Sequence, residues 1–176
     1  SIVLSGRTDK EVHATGQVFN CIVPDFFLYF SKLKEVLNRN LPSSIKINKI
    51  SKVNDDFHSR FHARKRVYRY IITTKPTNPF NNNFITHVPN IDEDLIKLAI
   101  KEFIGVFDFK YFHKTGSDKE LTRREIFDTT FYKYKDIYVF KFTANSYLRS
   151  QIRLMVGFLL AINDKRQTIE NLKKQL

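Results

Sequence analysis

Cysteine occurs once in these 176 residues, at Cys21. That excludes an intramolecular disulfide framework and suits the reducing cytoplasm. No apolar run approaches the ~18 residues of a membrane-spanning helix, so no membrane partner is expected. The first residues lack a basic segment followed by a long apolar core, and no secretory signal is expected there. Neither a Walker loop nor a Gly-x-Gly-x-x-Gly occurs, which leaves nucleotide hydrolysis and dinucleotide chemistry without support. Internal repeats, low-complexity tracts and coiled-coil heptads are also absent. Acidic residues are scarce: 18 Asp+Glu stand against 30 Lys+Arg, for a net charge of +12. A chain this basic commonly meets a polyanion, and nucleic acid is the first candidate; a merely solvated, lysine-rich surface is the alternative.

What is plentiful is apolar and aromatic. With 42% hydrophobic residues, 17 Phe and 8 Tyr, the chain can build a real core. It is one ordinary domain or a large part of a two-domain protein. Ile2-Val3-Leu4 reads as the end of a buried strand and 15–23 as a second strand. Asp25 is placed to cap a helix over 26–39, ended by Pro42. Residues 45–53 alternate apolar and lysine-rich polar positions, the pattern of a half-buried strand. The stretch 67–74 is β-prone, with Tyr68 and Tyr70 on one face and Val67, Arg69 and Ile71 on the other. A loop or linker follows over 75–84. Asp92 caps a helix bearing Leu95, Ile96, Ala99, Ile100 and Phe103, closed by Gly105. Strands are expected over 123–134 and 137–144, joined as a hairpin at Lys135-Asp136. Asn145 or Ser146 then caps a helix over 147–163 with Leu148, Ile152, Met155, Val156 and Leu159 on its core stripe, and a short helix covers 169–176. The class is α+β with a largely antiparallel sheet.

Chemistry-bearing residues concentrate between the first two strands, in Ser5-Gly6-Arg7-Thr8-Asp9-Lys10-Glu11-Val12-His13-Ala14. A guanidinium, a hydroxyl and a carboxylate follow a glycine consecutively, on a loop that two strands can hold still. His58 and His62 are four apart and invite a zinc site. The segment looks extended, however, and no third ligand follows at a sensible spacing, so no metal is expected.

Gly-Arg-Thr-Asp-x-x-Val-His-Ala resembles the active-site loop of the tRNA pseudouridine synthase A (TruA) family. Further stretches match in the family's order: Asn40-Leu41-Pro42; Asp56-Phe57-His58-Ser59-Arg60-Phe61 through Tyr68-Arg69-Tyr70; and Asn145-Ser146-Tyr147-Leu148-Arg149-Ser150-Gln151-Ile152-Arg153-Leu154-Met155-Val156-Gly157. Arg124-Glu125-Ile126 fits a weaker Arg-x-Ile pattern. The chain departs from the family at Glu11, where glycine is usual, and in having no Trp. Relative to the family it looks truncated at both ends.

The resemblance implies the pseudouridine synthase fold: two related halves around a central, largely antiparallel sheet with flanking helices. The halves would be 1–75, with the catalytic loop, and 76–176, with the late-arginine helix. It implies a cytoplasmic homodimer acting on uridines of the tRNA anticodon stem-loop, without a cofactor. Asp9 would be the catalytic carboxylate, attacking C1′ or removing the C2′ proton. Arg153 would keep it charged, and Tyr68 would lie beside the displaced uracil, a core strand aromatic being the alternative. Arg7, Thr8 and His13 on the loop, with Arg64, Lys65, Arg66, Arg69 and Arg149, would contact RNA. Arg149 and Arg153, four apart on a helix, would share one face. A basic RNA-binding module without a working site, or an inactive fragment of such an enzyme, is the alternative reading.

Overall fold

The computed structural model describes every residue except 1, 7, 10, 25, 28 and 115–120. Arg7 and the expected cap Asp25 therefore lie outside the described residues. The chain forms two compact units, Ser1–Ala63 and Arg64–Leu176.

The first unit opens with β1 (Ile2–Leu4) and β2 (Phe19–Cys21), paired antiparallel with Val3 opposite Asn20. β1 is largely exposed rather than buried, with Ile2 at 67%. The expected helix is shorter, α1 (Phe30–Asn40), and has no side-chain cap hydrogen bond at Tyr29. Its start follows a turn in which the Phe27 N–H donates to the Pro24 carbonyl at 3.1 Å. Its end is where Pro42 requires it: Leu41 is extended, at φ −82° and ψ 149°. The alternating stretch 45–53 forms no strand. The side chain of Asn38 takes the backbone of Ile47 instead, accepting its N–H at 2.8 Å and donating to its carbonyl at 3.0 Å. Periodicity is present, but no strand among the described residues pairs with this stretch, and at Ile47 a side-chain amide takes the groups that a neighbouring strand would use.

The second unit holds a five-stranded sheet in the order β4-β3-β7-β6-β5. These strands are β3 (Arg66–Thr73), β4 (Thr86–His87), β5 (Gly105–Asp108), β6 (Arg123–Tyr134) and β7 (Ile137–Ala144). The sheet is mixed: β3–β7, β6–β7 and β5–β6 are antiparallel, while β3–β4 is parallel. β6 and β7 form the expected hairpin, and Lys135 in its turn takes φ 52°. A register shift between Ile126 and Asp128 marks a bulge in β6.

One face of this sheet is largely apolar, with Arg124 and Thr129 of β6 the buried polar residues on it. Phe140, Phe142 and Ala144 of β7 are fully buried, as are Ile72 of β3 and Ile126 of β6. Helix α2 (Glu93–Ala99) continues into a 3₁₀ turn (Ile100–Phe103). Asp92 caps α2 as expected, accepting the Leu95 N–H at 3.0 Å. Gly105 then starts β5 at φ +133°, and a Cβ there would lie 3.1 Å from the Phe107 ring, so glycine is required twice over. Helix α3 (Gln151–Asn163) buries Met155, Val156, Leu159 and Ile162, and α4 (Ile169–Gln175) buries Leu172. Asn163 joins the end of α3 to the start of α2: it accepts the Asp92 N–H at 2.8 Å and donates to the Asn90 carbonyl at 3.0 Å.

Phe103 is the pivot of this core. Its ring centroid lies 5.5 Å from Phe112, 6.3 Å from Phe142 and 6.4 Å from Phe109, and the residue is fully buried. Phe103→Ala should therefore cost about 3–5 kcal/mol in denaturant unfolding, with a lower Cm and an unchanged m-value. Phe103→Leu should cost less than half as much.

Candidate active site

The loop between β1 and β2 is closed at its base. The Ser5 N–H donates to the Val18 carbonyl at 2.9 Å, and the Gln17 side chain donates to the Gly6 carbonyl. Farther out, the Val12 N–H donates to the Asp9 backbone carbonyl at 3.1 Å. The turn so closed places Glu11 at φ +66°, in the left-handed region where glycine is favoured. The chain thus adopts this conformation without a glycine and carries the strain instead. Thr8, Asp9 and His13 are exposed.

Ser59 fastens the 57–62 segment to this hairpin. Its N–H donates to Asn20 Oδ1 at 3.0 Å and its hydroxyl donates to the Val3 carbonyl at 2.8 Å. Both acceptors belong to the register pair Val3–Asn20, and Ser59 itself is buried. One serine therefore bridges both strands that carry the loop. His58 and His62 are engaged locally: His58 Nδ1 accepts the Phe61 N–H at 3.2 Å, and His62 Nδ1 accepts the His58 N–H at 3.4 Å. Among the described residues no group of three or more His, Cys, Asp or Glu is placed to hold a metal ion.

In the second unit Tyr68 sits on the inner face of β3, opposite Phe142 of β7. Its ring meets that of Tyr147 edge-on, with centroids 5.0 Å apart and planes at 78°. Arg69 points to the other face and is exposed, as is Arg64. Lys65 lies over the Phe127 ring at 5.8 Å. Arg66, by contrast, is partly buried and donates from Nη1 to the Asn145 carbonyl at 2.7 Å, bracing the start of β3 against the end of β7.

The segment from Asn145 to Ser150 leads from the sheet into α3. Asn145 donates its N–H to the Glu125 carbonyl at 3.1 Å, and its Oδ1 accepts the Ser146 N–H at 2.6 Å. The helix begins at Gln151, four residues later than periodicity suggested. Ser150 occupies the left-handed region, at φ 62° and ψ 8°, and breaks the helical path. Buried Gln151 stabilises that break: its Oε1 accepts the Leu148 N–H at 2.8 Å, and its N–H donates to the Leu148 carbonyl at 3.2 Å. Arg153 is thus on α3 while Arg149 precedes it, so the four-residue spacing does not put them on one helical face. Both guanidinium-bearing residues are exposed.

Two buried groups escaped the sequence reading as site residues. Arg124 is buried; its Nη1 donates to the carbonyls of Leu121 at 3.0 Å and Arg123 at 2.6 Å, and its Nε has no partner. Burial lowers its pKa. The Tyr147 hydroxyl is buried without a hydrogen-bond partner among the described residues. Burial, with Tyr68 adding to it, pushes its phenol well above the ordinary range. In sequence both look like ordinary strand or helix-stripe positions, and only their neighbours distinguish them.

A family model for tRNA pseudouridine synthase matches residues 99–176. Curated relatives extend the match across nearly the whole chain. The tRNA pseudouridine synthase A of Campylobacter jejuni is 38% identical over 175 residues, covering 99% of this chain and 73% of the relative. That of Wolinella succinogenes is 37% identical, covering 98% and 68%, respectively. That of Phytoplasma mali is 37% identical, covering 98% and 70%. The chain belongs to the tRNA pseudouridine synthase family. Its members are isomerases that make pseudouridine, and the α+β fold with a five-stranded mixed sheet is consistent with such a domain.

For a tRNA pseudouridine synthase, the strain at Glu11 is open to direct measurement. A non-glycine residue in the left-handed region costs about 1–2 kcal/mol, and glycine's larger unfolded-state entropy offsets part of that. Glu11→Gly should slow hydrogen exchange of the Val12 amide roughly two- to fivefold, the equivalent of about 0.5–1 kcal/mol. Glu11→Ala should leave it nearly unchanged.

Proposed function

We propose that this tRNA pseudouridine synthase isomerises uridines in the anticodon stem-loop of tRNA, with Asp9 as the catalytic carboxylate. The observation that carries this reading is the Gly6-to-His13 loop, whose base is closed by hydrogen bonds and whose Asp9 is exposed on a turn of its own. The reaction breaks the bond from C1′ to N1, turns the freed uracil and joins C5 to C1′. C5 loses its proton and N1 gains one, so atoms and electrons balance without a redox partner or hydrolysis. Asp9 serves either as nucleophile at C1′ or as base at C2′. By the family resemblance, Arg153 is the residue assigned the positive charge that would favour the carboxylate. Tyr68 offers a ring face to the base and a hydroxyl for the C5 proton.

Arg7, Thr8 and His13 on the loop, with Arg64, Arg66, Arg69 and Arg149, form the RNA-contacting set. The exposure of Arg64, Arg69 and Arg149 supports phosphate contacts that position RNA without reading its sequence. Arg66, partly buried, contributes to that set while also holding the sheet that carries Tyr68 through its bond to Asn145. A cytoplasmic homodimer is the working assembly, on the family resemblance and the single cysteine.

Tritium release from tRNA labelled at uridine C5 tests the assignment. Asp9→Ala should reduce release on the order of 10³-fold or more, while tRNA binding stays within a few-fold. Arg153→Ala should likewise remove turnover and spare binding. Near-wild-type release from either variant overturns the role given to that residue. Binding should also weaken steeply with salt, and Arg69→Ala should reduce the slope of log K against log[salt] by about one. A salt-insensitive affinity would sink the RNA-binding reading altogether.

A further inference from the structure

We infer that the Tyr147 hydroxyl is a hydrogen-bond donor to the substrate base. This deepens the proposed function and rests on it, through the placement of Tyr68 beside the uracil. Tyr147 lies on the segment that joins β7 to α3, and its ring packs edge-on against Tyr68 at 5.0 Å. Its hydroxyl is buried and has no hydrogen-bond partner among the described residues. Leaving such a hydroxyl unpaired costs about 1–3 kcal/mol, so a phenol there calls for an acceptor that the described residues do not supply. A phenylalanine would fill the same space against Tyr68 without that cost.

Tyr68 is not that acceptor, because no hydrogen bond joins the two rings in their edge-on arrangement. A uracil packed beside Tyr68 carries two carbonyl oxygens, which are good acceptors. Since the hydroxyl is buried in the free protein, its donation requires the Tyr68–Tyr147 pair to part as the base enters. The raised phenol pKa keeps the hydroxyl protonated over the working range, and hence a donor. A buried polar group built to bind one substrate atom discriminates strongly against ligands that lack it. Tyr147 is then a base-recognition residue, distinct from the phosphate-contacting arginines.

Tyr147→Phe isolates the hydroxyl while preserving the ring. Tritium release should fall about tenfold or more, while KM for tRNA, spread over many phosphate contacts, stays within about twofold. The melting temperature of the free variant should be equal to or above that of wild type. In parallel, wild type and variant are compared for affinity to an anticodon stem-loop and to the same stem-loop with abasic sites in place of its loop uridines. Wild type should prefer the uridine form, and the variant should lose most of that preference, about fivefold or more.

Equal preference in the two proteins, with turnover within twofold, overturns the inference: the hydroxyl is then idle or bound to a structural water. A variant that loses activity together with stability overturns it as well, unless a 3-fluorotyrosine placed at position 147 shifts its fluorine resonance with the uridine stem-loop and not with the abasic one. Asp9-dependent release by wild type is measured alongside. Its absence counts against the proposed reaction, whereas the uridine-over-abasic preference reports on Tyr147 alone.

Discussion

Strand β7 is hydrogen-bonded on both sides, and the second unit is arranged by that pairing. Antiparallel register with β3 and β6 fixes which side chains share the inner face: Tyr138, Phe140, Phe142 and Ala144 from β7, with Tyr68, Tyr70 and Ile72 beside them on β3. A slip of one residue would turn every one of these outward, so the apolar face and the register determine each other. The position of Tyr68 follows from this constraint rather than from any contact designed for it alone. Its ring is opposite Phe142, and Phe142 is locked into the cluster centred on Phe103. Arg66 secures the same strand from its end, through the Asn145 carbonyl. On the proposed reading, a site residue on β3 inherits the rigidity of the core beneath it.

The first unit solves the same problem with fewer means. Among its described residues only Leu33 is a buried hydrophobic, at 8% exposure, so apolar burial does little to hold the loop. Polar bonds hold it instead, from Ser59 onto Val3 and Asn20 and from Gln17 onto Gly6. Net hydrogen bonds of this kind are each worth only about 0.5–1.5 kcal/mol. A loop held by a few of them, with a left-handed glutamate at its tip, sits at the low-stability end of the molecule. That is where binding loops are commonly found, because ordering can then be coupled to ligand.

Periodicity was a good guide where packing decided the outcome. The hairpin strands over 123–134 and 137–144, the cap at Asp92 and the stripe of Met155, Val156 and Leu159 all lie where the sequence placed them. It was a poor guide where a side chain competed for the backbone. Asn38 takes the backbone groups of Ile47 within 45–53, where no strand forms; Gln151 takes those of Leu148 just before α3 begins. Neither bond follows from local propensity, since each depends on where a separate amide side chain comes to rest. The site shows the same division. The motif made Asp9 and Arg153 conspicuous as residue types, whereas Tyr147 looked like one more aromatic in a chain rich in them. Only its orphaned hydroxyl, visible once its neighbours are known, separates it from the rest.

Charge and chemistry place opposite demands on such an enzyme. Phosphate binding calls for exposed arginines, and Arg64, Arg69, Arg149 and Arg153 are exposed. Glycosidic chemistry calls for a carboxylate shielded from water, yet Asp9 is exposed on its turn. On the proposed reading the two demands are met in sequence. The arginines bring the backbone of the RNA to the protein through a long-range field that salt weakens. The displaced nucleotide then covers the carboxylate, and its own sugar and base replace the water that a deeper pocket would have excluded. Shielding supplied by the substrate applies only to a nucleotide that has left its stack. Selectivity for flexible stem-loop uridines can then arise from the cost of extrusion, before any residue reads the base.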